Sequence, residues 1–422
     1  MLKAILGSLV LLGTVVGASA ADDTVRIGKA QFDLPAVGQG WKRQEGEAGG
    51  LMLQTAIKNE DGSSGGVLVQ VIGPQSKGGF DANFDVLAST VPELKDEDPS
   101  LERDGLTLDG HRARLQSVCC GYRDDILLSS TTAGVEMADG QYFLMMIQLN
   151  LDSDADEAPR AAFKQMVRSL RPSDQAEPSG VKAPGGGGVD GVFTSLQTSL
   201  MPNVFGGMDF QSESVIKAFG PSGLYSEQIP ASGVSVADHC QATPDDCGTY
   251  ALKGGGLFSK ASQIEITGAP DEYGITEVES EAFTQSGDEL TIGDDSYNRI
   301  PPLDADTQFD GSWRYFWASS GMTATSSGGV SSERILTMRP DGSFTMTGWS
   351  GFSSSNDTGG GSTSVTGGDD KPNEAGHYRV DGFSIALEGE DGQTKTLSLF
   401  QPEVGSDELL VIDGDNYLKQ DS

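Results

Sequence analysis

The sequence predicts an α+β domain with an antiparallel sheet, followed by two all-β modules that we expect to be small up-and-down barrels. Three observations lead to this prediction. A stretch rich in Gly, Pro and Ser, residues 173–189, divides the chain as a flexible linker would. Clear helical periodicity occurs before this stretch, and an internal repeat follows it. The 422 residues suffice for about two to four domains, and 57 Gly and 18 Pro favour turn-rich β structure.

Residues 1–20 have the pattern of a secretory signal peptide. Lys3 is followed by an apolar stretch from Ile5 to Val16 and by the small residues Ala18-Ser19-Ala20. The apolar stretch is shorter than the ~20 residues that a membrane span needs. We therefore expect cleavage after Ala20 and a soluble mature protein that is periplasmic or secreted, without a membrane span.

The charge balance excludes one class of partner. The chain has 62 acidic and 28 basic residues, for a formal net charge of −34, and the acidic residues are spread along its length. Such a surface repels phosphate backbones and anionic lipid headgroups. We therefore expect no nucleic-acid binding.

Residues 22–172 are predicted to form the α+β domain. Phe80, Phe84, Leu87 and Val91 have helical spacing and predict a helix over 80–91. A closing helix is indicated by apolar residues at i, i+3, i+4 and i+7, and we expect a proline to stop it. The apolar residues of this second helix and its terminating proline are Phe163, Met166, Val167, Leu170 and Pro172. Strands are predicted at 51–57, 66–72, 111–118, 123–133 and 141–150, the first two joined as a hairpin by the Asp61-Gly62 turn.

This domain resembles a known family. QFDLPAVGQGW near its start and AAFKQMVRSLRP at its end frame an antiparallel sheet and a first helix, and this order resembles the PsbP/DcrB-like domain. The resemblance implies an α/β/α sandwich and a non-enzymatic binding or accessory role. It implies no functional residues, because the matching positions are packing positions.

The repeat predicts two related modules, residues 190–302 and 305–420. Asp190-Gly191-Val192-Phe193 matches Asp310-Gly311-Ser312-Trp313, and Cys247-Gly248-Thr249-Tyr250 matches Ala375-Gly376-His377-Tyr378. Two further matches keep the same order. The second module carries an additional Gly- and Ser-rich segment, residues 351–372, which has little to bury and is expected to be a mobile loop.

The second module predicts eight short strands. They are expected at 312–319, 333–339, 342–349, 376–381, 383–388, 394–400, 407–412 and 415–419. Turn signals between neighbours favour an up-and-down antiparallel barrel. The Gly-Ser-Trp opening, the Asp-Gly-Ser-Phe hairpin and the Gly-His-Tyr strand resemble small bacterial lipocalin-like domains. The resemblance implies a barrel whose mouth holds a small apolar ligand or whose interior is filled.

The four cysteines suit an exported protein. Cys240 and Cys247 enclose a short loop, and we expect them to form a disulfide clip. Cys119 and Cys120 are adjacent and leave three alternatives: a vicinal disulfide, pairing with other cysteines, or reduced thiols. A metal site with His239 lacks a fourth ligand, so no metal and no cofactor are expected.

The sequence offers no catalytic set. Gly62-Ser63-Ser64-Gly65-Gly66 has the G-x-S-x-G string of serine hydrolases, but it falls in a predicted strand-to-strand hairpin instead of a strand-to-helix turn. We therefore interpret it as a turn and predict that the protein is not an enzyme.

Aromatic residues mark the candidate binding site. Trp313, Tyr315 and Trp317 alternate on one predicted strand and so share a face, and Trp349 lies in the same module. These side chains either fill the barrel core or line an apolar pocket at its mouth. The sequence thus predicts an exported, non-catalytic, modular binding protein for a protein partner or a small apolar ligand. The alternatives are a hydrolase acting on an envelope polymer and a structural or assembly protein.

Overall fold

The fold comes from a computed structural model that is mostly β with three α-helices among the residues it describes. It describes residues 23–37, 40–45, 50–58, 64–75, 78–123, 126–137, 139–150, 157–175, 181–203, 207–254, 262–322, 326–358 and 361–421. The predicted signal peptide and its cleavage site lie outside these residues. The chain divides into two compact units: residues 1–180 with 270–277, and residues 181–269 with 278–422.

Unit 1 contains two antiparallel sheets and two helices. The three-stranded sheet has the order β1-β2-β10 and the eight-stranded sheet the order β16-β6-β7-β8-β9-β5-β4-β3. The strands are β1 (Asp23–Ile27), β2 (Ala30–Leu34), β3 (Lys42–Glu45), β4 (Leu51–Lys58), β5 (Ser64–Gln75), β6 (Pro99–Thr107), β7 (Arg112–Arg123), β8 (Ile126–Glu136), β9 (Tyr142–Asn150), β10 (Arg171–Pro172) and β16 (Ile275–Thr276), and the helices are α1 (Phe80–Ala88) and α2 (Glu157–Arg168).

The larger sheet of unit 1 buries both of its faces, as strand alternation requires. Leu144 and Met146 of β9 pack with Phe84 of α1 in one cluster. Met145 of the same strand packs with Phe163 of α2 in the other. Helices α1 and α2 lie where helices were predicted, although α1 ends at Ala88 instead of residue 91. β4 and β5 pair as predicted, and the Asp61-Gly62 turn lies outside the described residues.

Unit 1 differs from the prediction in several details. β6 was not predicted, because Leu101-Glu102-Arg103-Asp104 carries few strand-forming residues and is held mainly by pairing with β7. Helix α2 ends at Arg168, before the proline that was expected to stop it, and Arg171 and Pro172 pair with β2. The edge strand β16 comes from residues 275–276, which the sequence placed in the first β-module.

The first barrel of unit 2 is a closed eight-stranded antiparallel barrel in which each strand pairs with the next along the barrel, and β11 also pairs with β19. Its strands are β11 (Gly191–Pro202), β12 (Met208–Phe219), β13 (Leu224–Ser226), β14 (Cys247–Lys253), β15 (Gln263–Thr267), β17 (Val278–Ser286), β18 (Glu289–Ile292) and β19 (Asp295–Ile300), with helix α3 (Val236–Ala242) between β13 and β14.

The second barrel has the same strand order and closes through β20 and β27. Its strands are β20 (Gly311–Met322), β21 (Ser326–Met338), β22 (Ser343–Thr358), β23 (Gly361–Asp381), β24 (Ser384–Gly389), β25 (Thr394–Phe400), β26 (Leu409–Ile412) and β27 (Asp415–Lys419). The predicted up-and-down barrels are therefore confirmed.

The expected loop at 351–372 is wrong. β22 runs to Thr358 and β23 starts at Gly361, and the two strands pair through the described part of this segment, with Phe352 opposite Gly367 and Gly351 opposite Gly368. The composition suggested a loop because Ser and Gly bury little surface. Backbone hydrogen bonds between the neighbouring strands nevertheless continue into this segment, so it is part of the sheet.

The end of the predicted linker is packed instead of flexible. The Tyr250 hydroxyl accepts a hydrogen bond from the Val189 N–H (3.0 Å) and lies 2.7 Å from the Val189 carbonyl. A Cβ on Gly187 would lie 2.7 Å from that hydroxyl, so this close approach requires glycine. The linker segment before residue 181 includes residues outside the described part of the chain.

The two barrels share an apolar interface within unit 2. Val192, Ala218 and Ile300 on the outer wall of the first barrel cluster with Phe400 and Val411 of the second. The Cys240–Cys247 pair belongs to the same cluster and is bonded, which confirms the predicted clip.

Candidate functional site

Three of the predicted aromatic residues lie along one strand at increasing exposure. Trp313, Tyr315 and Trp317 of β20 face the same side, opposite Leu336, Arg334 and Ser332 of β21. Trp313 is completely buried, and its indole N–H donates to the Asp407 carbonyl (2.6 Å). Tyr315 packs at the margin of the barrel core. Trp317 is 39% exposed.

Trp349 is not brought to the other three. Its strand register places it opposite Glu333, which in turn lies opposite Phe316. Because Phe316 and Trp317 are consecutive in a strand, they point to opposite faces. Trp349 therefore shares a face with Phe316. Its indole covers the backbone of Gly351 and Gly368, where a Cβ would lie 2.4 Å and 3.0 Å from the ring.

The interior of the second barrel is filled with side chains. The buried cluster contains large residues from most of its strands, and partly buried residues pack against it. Its largest members include Phe309, Trp313, Phe344, Tyr378 and Tyr417. Trp313 is thus part of the packed core.

Beyond this core, the strands continue and expose apolar side chains on both faces. Phe352 is 51% exposed and lies opposite Val330, on the face that also carries Trp317. Phe316 and Trp349 lie on the other face and are 52% and 38% exposed. Phe316 and Phe352 are not among the site residues that the sequence predicts. The spacing of single aromatic residues in a Ser- and Gly-rich segment was the signal that could have identified Phe352.

The first barrel contributes a similar two-stranded ribbon. Leu200 of β11 lies directly opposite Phe210 of β12, and Pro202 lies opposite Met208. Leu196, four residues before Leu200, faces the same side. The Leu196, Leu200, Met208 and Phe210 side chains are 52–67% exposed.

The ribbon lies against β20 within unit 2. The Asn203 side-chain amide donates to the Ser320 carbonyl (2.9 Å) and to the Asp209 carboxylate (2.6 Å). Hydrogen bonds from Ser319 and Asn203 lower the pKa of Asp209. We call this set of exposed apolar side chains, which lie on both faces of the extended strands, the apolar extension. It comprises Leu196, Leu200, Met208, Phe210, Phe316, Trp317, Trp349 and Phe352.

Each barrel also encloses one cation near tyrosine rings. In the first barrel, Lys217 donates to the Tyr225 hydroxyl (2.9 Å), which donates to Glu227 (2.8 Å). Burial lowers the pKa of Lys217, while the nearby carboxylates Glu227, Glu279 and Asp295 oppose this. Burial raises the pKa of Tyr297 to about 12. The Lys217 ammonium lies 5.5 Å from the Tyr297 ring centre, so its charge is already engaged by side chains of the same barrel.

In the second barrel, the cation beside the tyrosine rings is an arginine at a different position of the second strand. Arg334 pairs with Asp415 (2.7 Å), and its guanidinium lies 4.7 Å from the Tyr315 ring centre. Burial raises the pKa of Asp415, and Arg334 opposes this shift. These contacts resemble structural charge pairs more than a free reactive group.

Other candidate chemistry is limited in the part of the chain that the structure describes. Cys119 and Cys120 are bonded to each other, which resolves the three alternatives left by the sequence. The described residues contain no group of three or more His, Cys, Asp or Glu side chains that could hold a metal ion. None of the described helices is long and apolar enough to cross a membrane.

Comparisons with known proteins give no family. No protein-family model matches the chain, and a search of curated proteins finds no match.

Proposed function

We propose that the chain is an exported, non-catalytic binding protein that recognises a protein partner through the apolar extension. The observation that carries this proposal is the concentration of exposed large apolar side chains on the extended strands of both barrels. Exposed apolar patches of this kind are typical of interaction sites. Aromatic side chains are enriched where protein interfaces bind most strongly.

The filled barrel favours a protein partner over a small apolar ligand. Trp313, which the sequence offered as a ligand contact, is buried against other side chains. Trp317 and Phe352 instead lie on one face of the extended strands, and Phe316 and Trp349 lie on the other, all of them partly exposed. Exposed aromatic side chains divided between two faces fit another protein better than they enclose a small molecule.

The charge and the cysteines support export and apolar recognition. With a net charge of −34, the protein gains no attraction from anionic partners, so its binding energy is expected to come from apolar contact. Two bonded cysteine pairs suit an oxidising compartment, either periplasmic or extracellular.

Family relationships form part of the proposal. We propose that unit 1 is an α/β/α sandwich of the PsbP/DcrB-like kind, supported by helices α1 and α2 packing on opposite faces of the larger sheet. We propose that the barrels are lipocalin-like, supported by their eight-stranded up-and-down order. Both likenesses favour a binding role over an enzymatic one.

Site-specific photo-crosslinking tests the proposal. A photoreactive phenylalanine analogue is placed at Phe352 in the full-length precursor, expressed in the native cell. We expect one light-dependent adduct of defined mass. The matched control is the same analogue at Lys395, an exposed position on β25 away from the extended strands. Absence of an adduct at both Phe352 and Trp349, or the same adduct at Lys395, would contradict the proposal.

Titration with an uncharged hydrophobic dye distinguishes a small-ligand site from a protein-binding surface. Nile red is titrated into the mature protein and into Trp317→Ala. Saturable binding of one dye that is lost in the variant would favour an apolar-ligand site. Weak, non-saturating binding is expected for an open protein-binding surface.

A further inference from the structure

The edge of the larger sheet in unit 1 is occupied by a short segment of the same chain. Residues 270–277 follow β15 in sequence, and their strand β16 pairs antiparallel with β6: Ile275 lies opposite Thr107 and Thr276 opposite Leu106. The segment therefore adds a strand to an existing sheet edge, which is a common mode of peptide recognition.

The segment is anchored by its side chains. Tyr273, Ile275 and Thr276 are only 8%, 3% and 2% exposed. Tyr273 and Ile275 join the same apolar cluster as Val135 and Val167. Alternate apolar anchors on an added strand are the feature by which such sites select their ligands.

The segment is preorganised by an acidic turn. The Asp271 carboxylate accepts hydrogen bonds from the N–H groups of Tyr273 (2.8 Å) and Ile275 (3.0 Å). The Gly274 N–H donates to the Asp271 carbonyl (2.9 Å), and Gly274 has a φ of 76°. This positive φ favours glycine at the turn.

The receiving edge is shaped for a backbone. A Cβ on Gly105 would lie 2.1 Å from the Thr276 carbonyl oxygen, so only glycine allows the two strands to approach. The Thr276 hydroxyl donates to the Leu106 carbonyl (2.9 Å). A cavity of about 20 Å³ remains beside Tyr273 and Ile275. It has room for about one water molecule, so the segment nearly fills the site.

The rim of this edge is basic and the segment is acidic. Lys164 pairs with Glu272 (2.6 Å), and Arg103 pairs with Glu277 (3.1 Å). The Arg168 guanidinium donates to the Asp271 carbonyl (3.4 Å). In a chain with more than twice as many acidic as basic residues, three cations around one short segment indicate charge complementarity.

We propose that this edge is a peptide-binding site for an extended, acidic segment with a Tyr-Gly-Ile-Thr centre, and that residues 270–277 are its internal ligand. The site is independent of the apolar extension. It takes its ligand by strand pairing, two buried anchors and a basic rim.

Complementation in trans tests the proposal. In the mature full-length chain, residues 270–277 are replaced by a Gly/Ser segment of the same length. A fluorescent peptide with the sequence APDEYGITEV (residues 269–278) is then added, and its anisotropy is measured. We expect saturable binding that weakens with salt, because the ion pairs are exposed. A peptide with Tyr273→Ala and Ile275→Ser should bind at least about tenfold more weakly, as expected for buried anchors.

Two glycine substitutions show whether the binding occurs at this edge. Added to the replaced chain, Gly105→Val should abolish peptide binding. Gly66→Val is the matched control, because Gly66 lies in β5 of the same sheet with open space around its Cβ position. It should leave binding unchanged. The unmodified chain, whose edge is occupied, should bind the peptide at least about tenfold more weakly than the replaced chain.

The outcomes remain decisive if the replaced chain does not fold. In that case, refolding with the peptide should restore the near-UV circular dichroism of the unmodified protein, whereas the altered peptide should not. A folded replaced chain that does not bind the peptide would overturn the proposal. Failure of rescue, or equal binding to the Gly105→Val and Gly66→Val chains, would do the same.

Discussion

The two barrels of unit 2 share a frame and differ in what that frame carries. In each, a tyrosine on the fourth strand fixes the chain just before the first strand. Tyr250 contacts Val189, and the Tyr378 hydroxyl accepts from the Phe309 N–H (2.8 Å). The same two hydroxyls also lie 3.0 Å from the carbonyls of Gly220 and Arg339, respectively. The frame therefore depends on a few buried contacts, while the remaining positions have diverged.

One end of each barrel is closed by an aromatic ring under a cation. Arg299 lies 4.6 Å from the Phe193 ring centre and pairs with Asp288 (2.9 Å). Lys419 lies 5.3 Å from the Trp313 ring and pairs with Asp407 (2.7 Å). Aromatic type and cation type have both changed, yet the stacking has not. Trp313 therefore belongs to the frame that the two barrels share. The exposed aromatic residues of the second barrel are additions to that frame.

Truncating the closing aromatic residue should give the largest effect. We expect Trp313→Ala and Phe193→Ala each to lower the free energy of unfolding by about 3–5 kcal/mol, because both side chains are fully buried. Trp313→Ala should lie at the upper end, since it leaves a larger cavity and removes the donor to Asp407. Calorimetry and chemical denaturation measure both changes.

The exposed Trp349 provides the control for this comparison. Trp349→Ala should change the free energy of unfolding by only about 0.5 kcal/mol, as for most surface positions. A cost equal to that of Trp313→Ala would show that Trp349 also belongs to the core frame and would remove it from the apolar extension.

Alkaline pH should distinguish the two interiors. The folded-state pKa of Tyr297 is about 12, above its ordinary value of 10.0, so its stabilising contribution is complete below pH 10 and is lost between pH 10 and pH 12. For the unmodified protein, we expect Tyr297 to lower the free energy of unfolding by about 2–3 kcal/mol across this range. In Tyr297→Phe, this part of the decrease should be absent. Denaturation curves at increasing pH measure it.

Tyr417 occupies the equivalent place in the second barrel but has a different neighbour. Burial raises its pKa, and the Arg334 guanidinium opposes the increase. Tyr417→Phe should therefore change the decrease of stability at alkaline pH less than Tyr297→Phe does.

Lys217 affects stability in the opposite direction. Because its pKa is lowered in the folded state, stability rises with pH until the ordinary lysine pKa of 10.5 is reached. A larger change in Tyr417→Phe would contradict this account of the two cations.

Removing the hydroxyl of Tyr250 or Tyr378 should give a smaller loss of stability than truncating the buried Trp313 or Phe193. Tyr250→Phe and Tyr378→Phe each leave a buried backbone N–H without its acceptor, at Val189 and Phe309. We expect a loss of about 1–2 kcal/mol in each variant. Thermal unfolding measures both. A loss confined to one variant would show that only one barrel uses this contact.

Repeat matching predicted more of this architecture than strand patterns alone. The repeat aligned Tyr250 with Tyr378, but it did not predict the contact that both hydroxyls make with the chain before the first strand. The pairing of Ile275 with Thr107 could not be predicted, since it joins residues far apart in sequence and rests on a two-residue strand. The long β22–β23 hairpin was missed because Ser and Gly carry a weak strand signal.

The candidate site was predicted only in part. Alternation placed Trp313, Tyr315 and Trp317 on one face, as the structure has them. It could not place Trp349, because the face of a residue on another strand depends on the cross-strand register. The exposure of each of these residues could not be predicted either, since it depends on how far the strand extends beyond the closed part of the barrel.

The interface between the barrels limits how far the duplication can propagate. It joins two different surfaces, and such head-to-tail contacts generate open-ended arrays when they are repeated without closing into a ring. The counterparts of Val192, Ala218 and Ile300 in the second barrel are Ser312, Thr337 and Gln420, and those of Phe400 and Val411 in the first are Thr284 and Thr291. At these five positions the surfaces that a third copy would use are thus polar, which weakens the apolar contact available to it.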